Sequence, residues 1–251
     1  MQKEALKWTI FVSMLIFLQL GYIYIFFVEP NWIMVTHVKI ADPQLAQALS
    51  GKRFVQISDL HIQDFGYREV SLIEKINSLK ADIIVVTGDM VEGREGITAL
   101  WNFLSLLKAK SHIYAIYGDS DGAIADLKES LEWAKAGVSI LEERPMRLNL
   151  KDKPDSAFWL AGACGGDLSQ ITASIPIGEP VILLAHRPDI IKKAALAKIK
   201  MVMVGHTHGG QVGFPLLVEF FSYAHRSNYI SGLYRIKNTF LYVNRGIGSK
   251  K

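Results

Sequence analysis

The chain has 251 residues, with 28 lysines and arginines against 24 aspartates and glutamates, and half of its residues are hydrophobic. An apolar content this high excludes an intrinsically disordered chain, and the small basic excess lacks the dense stripe of lysine and arginine that dedicated DNA or RNA binding needs. The single cysteine, Cys164, excludes both a disulfide scaffold and a thiolate metal cage.

The chain begins with an apolar run from Trp8 to Val28 that contains no charged residue. As a helix that rises about 1.5 Å per residue, it would be about 31 Å long, which matches the hydrocarbon core of a bilayer. Because its last residues are bulky, the run does not resemble a cleaved signal peptide. We therefore predict a retained single-pass anchor in the cell membrane over residues 1–30. A buried core helix and a cleaved signal are the alternatives.

Two basic residues that precede this run, Lys3 and Lys7, favour an N-terminus inside the cell and a domain outside it. A connector is predicted over residues 31–52, with a strand at 32–40 and a short helix at 44–49. Strands and helices then alternate over residues 53–251, which predicts an α/β domain with layered sheets and outer helices. The predicted elements are strands at 54–57, 82–87, 112–117, 138–141, 147–150, 157–161, 181–185 and 201–204, helices at 69–79, 96–107, 123–135 and 190–197, and a hairpin from strands at 229–236 and 239–243.

Five of the predicted strands end in residues that can bind a metal ion. These residues are Asp59, His61, Asp89, Asp119, His186, His206 and His208. Because ligands bind beyond the carboxyl ends of the strands in open α/β sheets, we expect the seven side chains to converge. Three of them follow a glycine, which favours a sharp exit from the strand with positive φ. In Asp-x-His and His-x-His pairs, extended backbone would point both side chains toward one ion.

Mixed imidazole and carboxylate donors suit Mn, Fe or Zn better than Ca or Mg. Seven ligands are too many for one ion, so the sequence predicts two divalent ions about 3.5 to 4 Å apart, bridged by a carboxylate and a hydroxide. The remaining histidines, His37, His112 and His225, do not share this placement and are interpreted as structural or solvated.

The order of these motifs resembles that of the calcineurin-like metallophosphoesterases. The motifs are Asp59-x-His61, Gly88-Asp89, Gly118-Asp119-Ser120-Asp121, His186 and Gly205-His206-Thr207-His208. Residues 185–189, 205–211 and 241–248 look most like the membrane-associated bacterial branch of that family. The resemblance covers about residues 53–248. It implies a four-layer αββα sandwich that hydrolyses phosphomonoesters, phosphodiesters or diphosphates.

The resemblance also implies a role for each ligand. Carried over to this sequence, Asp59, His61, Asp89 and His208 would hold the first ion, and Asp89 would bridge to the second. Asp119, His186 and His206 would complete the second ion's site. A hydroxide that bridges the ions would attack phosphorus, and Asp89, Asp119 and His206 are the residues expected to be catalytic.

Two departures from the family pattern bear on this expectation. Where the family has Asn-His-Asp or Asn-His-Glu, this chain has Asp119-Ser120-Asp121. Asp119 adds a negative charge, and Ser120 lacks the imidazole that serves as a general acid, a loss that typically costs about 10²- to 10⁴-fold in rate. That loss matters least for a good leaving group such as a diphosphate. The chain also ends at Lys251, where relatives usually continue with another strand, so the resemblance leaves the completeness of the second sheet open.

We therefore predict a membrane-anchored hydrolase of a phosphorylated, lipid-linked substrate that works beside membrane lipid, and no protein partner is implied. UDP-2,3-diacylglucosamine is the best analogy among the substrates of relatives, although it would require the domain on the cytosolic side. The apolar segment 214–223 could receive acyl chains or pack as ordinary core. Two alternatives stay open: a degenerate protein that binds metal or phospholipid head groups without turnover, and a cyclic-nucleotide phosphodiesterase or nuclease. Cys164 is a reactive thiol or, more simply, a turn residue.

Overall fold

The computed structural model of the protein describes residues 2–24, 33–150, 156–164, 167–210 and 228–248. These residues divide into two compact units, Met1–Thr36 and His37–Lys251. In the first unit, helix α1 (Gln2–Ile23) has an exposed apolar surface over most of its length. Among the described residues it is the one helix long and apolar enough, over Lys3–Ile23, to cross a membrane. The rest of the predicted anchor, up to residue 30, lies largely outside the described part.

Residues 33–42, which span the boundary between the two units, form no strand, and helix α2 (Pro43–Leu49) follows them. The helix starts where the Asp42 carboxylate accepts hydrogen bonds from the N–H groups of Gln44 and Leu45. The strand predicted at 32–40 is therefore wrong over its described part. Its side chains at Met34 and Val38 are exposed, and none of the strands in the described part of the chain pairs with its backbone.

A four-stranded parallel sheet follows, in the order β1-β2-β3-β4. Its strands are β1 (Phe54–Ile57), β2 (Ile83–Thr87), β3 (His112–Ile116) and β4 (Val138–Ile140). The connecting helices α3 (Tyr67–Ser78) and α4 (Ile97–Ser105) pack against each other. Both present an apolar stripe, in which Leu72, Ile76, Leu100 and Phe103 are buried.

The single helix predicted at 123–135 is wrong: helix α5 (Asp119–Gly122) ends before this range, and two short helices, α6 (Ala125–Lys128) and α7 (Glu132–Lys135), occupy it. The break between the first two comes at Ile124, whose backbone is extended while its side chain is buried. Helix α5 begins directly after β3, so it carries Asp119 to the end of the first sheet.

A six-stranded mixed sheet has the order β5-β6-β7-β8-β10-β9. Its strands are β5 (Met146–Asn149), β6 (Ala157–Ala163), β7 (Val181–Ala185), β8 (Met201–Val204), β9 (Gly232–Ile236) and β10 (Thr239–Val243). Strands β6, β7, β8 and β10 are parallel, and the edge strands β5 and β9 run antiparallel to their neighbours. The predicted hairpin is confirmed as β9 and β10. With it the second sheet has more strands than the first.

The two sheets pack face to face around one apolar core. This core joins Ile83, Val85 and Ile116 of the first sheet to Phe158 and Leu184 of the second. The other face of the second sheet packs on helices α8 (Ser169–Ala173) and α9 (Ile191–Leu196). The chain is thus an α/β protein with two packed sheets between helices, as the sequence predicts. All parallel strands point their carboxyl ends to one edge of this sandwich.

Candidate metal centre

The seven residues predicted as metal ligands lie together at the carboxyl ends of five parallel strands. Strands β1, β2 and β3 of the first sheet and β7 and β8 of the second sheet each lead into one of the motifs. Six of the seven side chains are largely buried, and Asp119 is the most exposed, at 40% of its side chain. The seven side chains line a cleft between the ends of the two sheets, which is where ligands bind in α/β folds.

The backbone leaves the strands in an unusual conformation at five of these residues. Asp59, His61, Asp89, His206 and His208 have φ values of 52°, 44°, 52°, 72° and 48°. Non-glycine residues rarely adopt this left-handed region, at a cost of about 1 to 3 kcal/mol each, and such strain concentrates at functional sites. The extended backbone predicted for the Asp-x-His and His-x-His pairs is therefore wrong. The first pair still serves one cluster, but His206 and His208 turn into two different ones.

The first cluster consists of Asp59, His61 and His208. The Nε2 atoms of the two imidazoles lie 3.2 Å apart, and His208 Nε2 lies 3.6 Å from Asp59 Oδ1. Donor atoms that surround one ion at about 2.1 Å in tetrahedral geometry are about 3.4 Å from one another. The observed distances match that spacing.

The second cluster consists of Asp119, His186 and His206. His206 Nδ1 lies 3.2 Å from His186 Nε2 and 3.2 Å from Asp119 Oδ2, and the latter two atoms are 3.8 Å apart. This cluster has the donor spacing of an ion site as well. It differs from the first cluster in its exposure, because Asp119 lies at the mouth of the cleft.

Asp89 lies between the two clusters. Its Oδ2 atom is 3.5 Å from His61 Nε2 of the first cluster and 3.5 Å from His186 Nε2 of the second. Its Oδ1 atom accepts a hydrogen bond of 2.9 Å from the backbone N–H of Ser120. One carboxylate oxygen is thus fixed by the protein while the other faces both clusters, which is the geometry of a bridging ligand.

Comparison with known proteins agrees with this geometry. The model of the calcineurin-like phosphoesterase family matches residues 52–210, which is more than half of the chain. The chain belongs to the calcineurin-like phosphoesterase family. It is a hydrolase of a family that uses divalent metal ions, and its clusters of carboxylates and imidazoles are of the kind that can hold them.

Two curated relatives are similar to this metallophosphoesterase over most of their length. The phosphodiesterase YaeI of Escherichia coli is 28% identical, over 91% of this chain and 86% of the relative. The UDP-2,3-diacylglucosamine pyrophosphatase LpxG of Chlamydia trachomatis is 27% identical, over 89% and 86%. The solved structure of the phosphopantetheinyl hydrolase PptH of Mycobacterium tuberculosis has a TM-score of 0.50 at 11% identity, covering 78% of this chain and 90% of PptH. That structure is similar in fold.

Carbonyl groups of the backbone fix the ring orientation of two histidines in the metallophosphoesterase site. His186 Nδ1 lies 2.9 Å from the Thr87 carbonyl, and His208 Nδ1 lies 3.1 Å from the Gly248 carbonyl. Because a carbonyl only accepts, each Nδ1 carries the proton and each Nε2 is left to face its cluster. The tautomers thus suit metal binding.

Glu92 is a site residue that the sequence analysis did not identify. One of its carboxylate oxygens lies 2.5 Å from His61 Nδ1, on the side of the ring away from the first cluster. A carboxylate in this position orients an imidazole and raises its basicity toward a metal. Its position three residues after Asp89 is the one indication in the sequence that Glu92 could belong to the site. Its contact with His61 depends on how the loop after β1 meets the loop after β2, which local sequence does not predict.

Three glycines keep the loops of the site close together, for different reasons. Gly88 has φ of +87°, as predicted for a glycine after a strand. Gly118 has φ of −98°, and Gly205 is not among the residues with positive φ, so that prediction is wrong for both. A Cβ atom at Gly205 would overlap Ser58 Oγ and Asp59 Oδ2, and one at Gly118 would overlap Asp89. Gly118 and Gly205 need to be glycine because atoms of a neighbouring loop lie where a Cβ atom would be.

Burial and neighbouring charges set the protonation of the cleft. Burial lowers the pKa of His206 to about 4, and the charges of His186 and Arg187 act in the same direction. Burial also lowers the pKa of His186, but the hydrogen bond and charge of Asp89 outweigh it and raise the value to about 9. In return, His186 holds the pKa of Asp89 below its usual range despite burial. Without metal, His186 and Asp89 thus form a charged pair.

Asp121 connects two of the motif loops. Its buried carboxylate accepts hydrogen bonds from the N–H groups of Met90, Val91 and Gly118, at 2.8, 3.1 and 3.0 Å. The first two follow Asp89, and the third precedes Asp119. Asp121 is therefore a positioning residue that holds the loops of both clusters in register.

The remaining candidates lie away from the clusters or outside the described residues. His112 is bonded to Ser139 at 2.8 Å, and His37 is exposed, as their structural and solvated interpretation predicts. Cys164 is exposed, but partial desolvation of its sulfur raises its pKa, which favours the unreactive thiol. His225 and the apolar segment 214–223 lie outside the described residues.

Proposed function

We propose that this metallophosphoesterase is a membrane-anchored enzyme that hydrolyses a phosphoester or diphosphate bond of a lipid-linked substrate at two divalent metal ions. The observation that carries the proposal is the division of seven donors into two adjacent clusters with Asp89 Oδ2 between them, 3.5 Å from a histidine of each. A protein that bound a single ion would have no use for this arrangement. Mn, Fe or Zn suits the donor set of four imidazoles and three carboxylates.

In this proposal Asp59, His61 and His208 hold one ion, Asp119, His186 and His206 hold the other, and Asp89 contacts both. Two bound divalent ions would supply an acidified water and would withdraw charge from the phosphoryl oxygens. The chain's own residues prepare the site for this chemistry. The Ser120 N–H fixes Asp89, the carbonyls of Thr87 and Gly248 fix two imidazoles, and Glu92 fixes a third.

The residue at position 120 restricts the choice of leaving group. Ser120 stands where the family has an imidazole, so the chain lacks that group to protonate a departing alkoxide. Loss of such an acid costs about 10²- to 10⁴-fold, and least where the leaving group is already stable as an anion. A diphosphate, whose leaving group is a phosphate ester, therefore suits the site better than an alkyl phosphomonoester.

An open cavity beside the site also favours a polar leaving group. It has a volume of about 450 Å³ and begins at Gly118 and Gly122, next to Asp119. Its wall includes Lys128, Glu142 and Arg144, a mixture of positive and negative side chains. Such a wall suits a nucleotide or sugar phosphate better than an acyl chain.

Similarity to a named relative and the apolar helix support a lipid-linked substrate. LpxG is named for UDP-2,3-diacylglucosamine, a diphosphate joined to a diacylated sugar, and it matches this chain over 86% of its own length. Helix α1 would keep the enzyme at the membrane where such a substrate resides. We therefore infer that UDP-2,3-diacylglucosamine is the first substrate to test, which requires the domain to face the cytosol.

The experiment compares three substrates with the full chain in detergent micelles: UDP-2,3-diacylglucosamine, bis-p-nitrophenyl phosphate and p-nitrophenyl phosphate. Turnover is measured with Mn²⁺ and with chelator, for the wild type, for Asp89→Asn and for the control Asp126→Asn. Asp126 is 62% exposed and pairs with Arg94 outside the clusters. We expect Mn²⁺-dependent cleavage of the diphosphate, at least a 10³-fold loss in Asp89→Asn and no change in the control.

Two other results would redirect the assignment. Preference for the soluble diester, unaffected by micelles, would favour a phosphodiesterase, the activity for which YaeI is named. A folded chain that binds Mn²⁺ but cleaves none of the three substrates would favour the binding-only protein that Ser120 suggests. Activity that survives in Asp89→Asn or in chelator would contradict the dinuclear mechanism itself.

A further inference from the structure

Arg187 forms a forked ion pair with Asp119 at the mouth of the site. Its Nη2 atom lies 2.6 Å from Asp119 Oδ2, and its Nε atom lies 3.1 Å from both oxygens of the same carboxylate. The residue follows His186 directly, so its backbone is fixed by a member of the second cluster. Its guanidinium is therefore held beside the position proposed for the second ion.

This ion pair is not needed to stabilise the fold. The side chain of Arg187 is 56% exposed and that of Asp119 is 40% exposed. Exposed ion pairs contribute little to stability because water screens them and because ordering two side chains costs entropy. A forked contact that is exposed and adjoins the site proposed for a phosphoryl group points to a role in binding.

The charge of the site explains why a cation is useful at this position. Two divalent ions held by the carboxylates of Asp59, Asp89 and Asp119 would retain one net positive charge. An asparagine at position 119, as the family has there, would leave two. The phosphate ester of a substrate is an anion, so Asp119 makes the site less attractive to it. The guanidinium of Arg187 restores the missing charge.

The geometry of the pair also leaves donors for a second anion. Asp119 Oδ2 is the oxygen that faces His206 Nδ1, at 3.2 Å, and thus the oxygen directed into the second cluster. A guanidinium has five N–H donors in a planar fork that matches phosphate, and the contacts with Asp119 use only two of its nitrogens. The third nitrogen, Nη1, takes no part in the contacts with Asp119.

Building on the function proposed above, we propose that Arg187 binds a phosphoryl oxygen of the substrate directly and is positioned for this by Asp119. The pair would thus do two things at once: Asp119 serves as a ligand of the second cluster, and Arg187 offsets its charge with a phosphate-binding fork. The same chemistry predicts that Arg187 binds inorganic phosphate, the simplest anion of this class.

The test measures binding of inorganic phosphate by isothermal titration calorimetry to the full chain, loaded with Mn²⁺ in detergent micelles. Affinity for Mn²⁺ is measured in the same way on each variant. The variants are Arg187→Gln, Arg187→Lys and the double variant Asp119→Asn with Arg187→Gln. Arg94→Gln is the matched control, because Arg94 forms another exposed pair with an aspartate, at 3.2 Å from Asp126.

We expect Arg187→Gln to weaken phosphate binding about 10- to 100-fold, the value of a charge-assisted hydrogen bond, with Mn²⁺ affinity unchanged. Arg187→Lys should recover part of the loss, because lysine keeps the charge but not the fork. The double variant restores the net charge without the fork, so it should still bind phosphate at least about 10-fold more weakly than the wild type. Arg94→Gln should match the wild type.

The failures of the two proposals can be told apart. A wild-type chain that binds no Mn²⁺ overturns the dinuclear function, and this inference with it. Wild-type phosphate affinity in Arg187→Gln, or full recovery in the double variant, overturns direct binding by Arg187 alone. So does a Mn²⁺-loaded wild type that binds no phosphate, even where the diphosphate substrate is cleaved.

Discussion

The charged pair of His186 and Asp89 makes the stability of the metal-free protein depend on pH in a specific direction. The pKa of His186 is raised from 6.5 to about 9 by Asp89 and Asp59, although burial alone would lower it. Because the folded value exceeds the unfolded one, this stabilisation is complete below pH 6.5 and is lost as the pH rises through 9. A rise of this size corresponds to about 3 kcal/mol, at about 1.4 kcal/mol per pKa unit.

Two other histidines of the cleft act outside this window, whereas burial raises the pKa of Asp59, which acts in the same direction as His186. The pKa values of His61 and His206 are lowered by burial, so they affect stability only below pH 6.5. Between pH 6.5 and 9 the free energy of unfolding in chelator should therefore fall by about 3 kcal/mol, mainly through His186. With Mn²⁺ present the sign should reverse, because a metal ion binds only the neutral imidazole and a higher pH strengthens that binding.

The assay is urea unfolding followed by tryptophan fluorescence, at pH 6.5 and pH 9, with chelator and with Mn²⁺. His186→Asn should lose the decline in chelator. His112→Gln should keep it, since His112 is bonded to Ser139 away from the cleft. A metal-free wild type whose stability does not fall toward pH 9, or the same fall in His186→Asn, would refute the reasoning.

Three further substitutions test the surroundings of the clusters. Glu92→Gln should weaken Mn²⁺ binding about 10- to 100-fold by calorimetry, since Glu92 orients His61, and the exposed Glu95→Gln should not. Gly205→Ala should destabilise the fold by about 2 kcal/mol or more in urea unfolding, because its Cβ would overlap Asp59, whereas Gly122→Ala, with open space around it, should change little. Asp121→Ala should cost about 3 kcal/mol in the same assay, because three buried N–H groups lose their acceptor, and equal stability to the wild type would contradict its positioning role.

The order of the elements could be predicted from local patterns alone. Continuous apolar runs, such as 181–185 and 201–204, mark strands that are buried on both faces, and the structure places β7 and β8 at those residues. The single helix predicted at 123–135 is instead two short helices, because residues 129–131 leave helical structure between α6 and α7, and Ile124 takes an extended backbone with its side chain buried just before α6. Tertiary packing overrode local propensity there.

Convergence of the seven donors could also be predicted, because parallel strands deliver their carboxyl ends to one edge of a sheet. The backbone conformation by which each donor reaches its cluster could not be predicted. The left-handed backbone at Asp59 and His208 depends on contacts that close the loops, such as the hydrogen bonds of 3.1 Å from Ile247 N–H to Ser58 O and of 2.6 Å from Gly248 N–H to Asp59 O. These partners are far apart in the sequence. No local sequence pattern predicts that they are in contact.

The same distinction separates ligands from the residues that orient them. A histidine or aspartate after a strand is visible in the sequence because its chemistry and its position coincide. The roles of Glu92, Asp121 and Gly248 cannot be recognised in this way, although Asp121 belongs to a motif, because each residue acts on a backbone or ring atom of another loop. Their effect is nevertheless large, because a ligand held about 1 Å from its working position can lose about 10²-fold in rate. Substitutions at these three positions should therefore impair the site while leaving all seven donors in place.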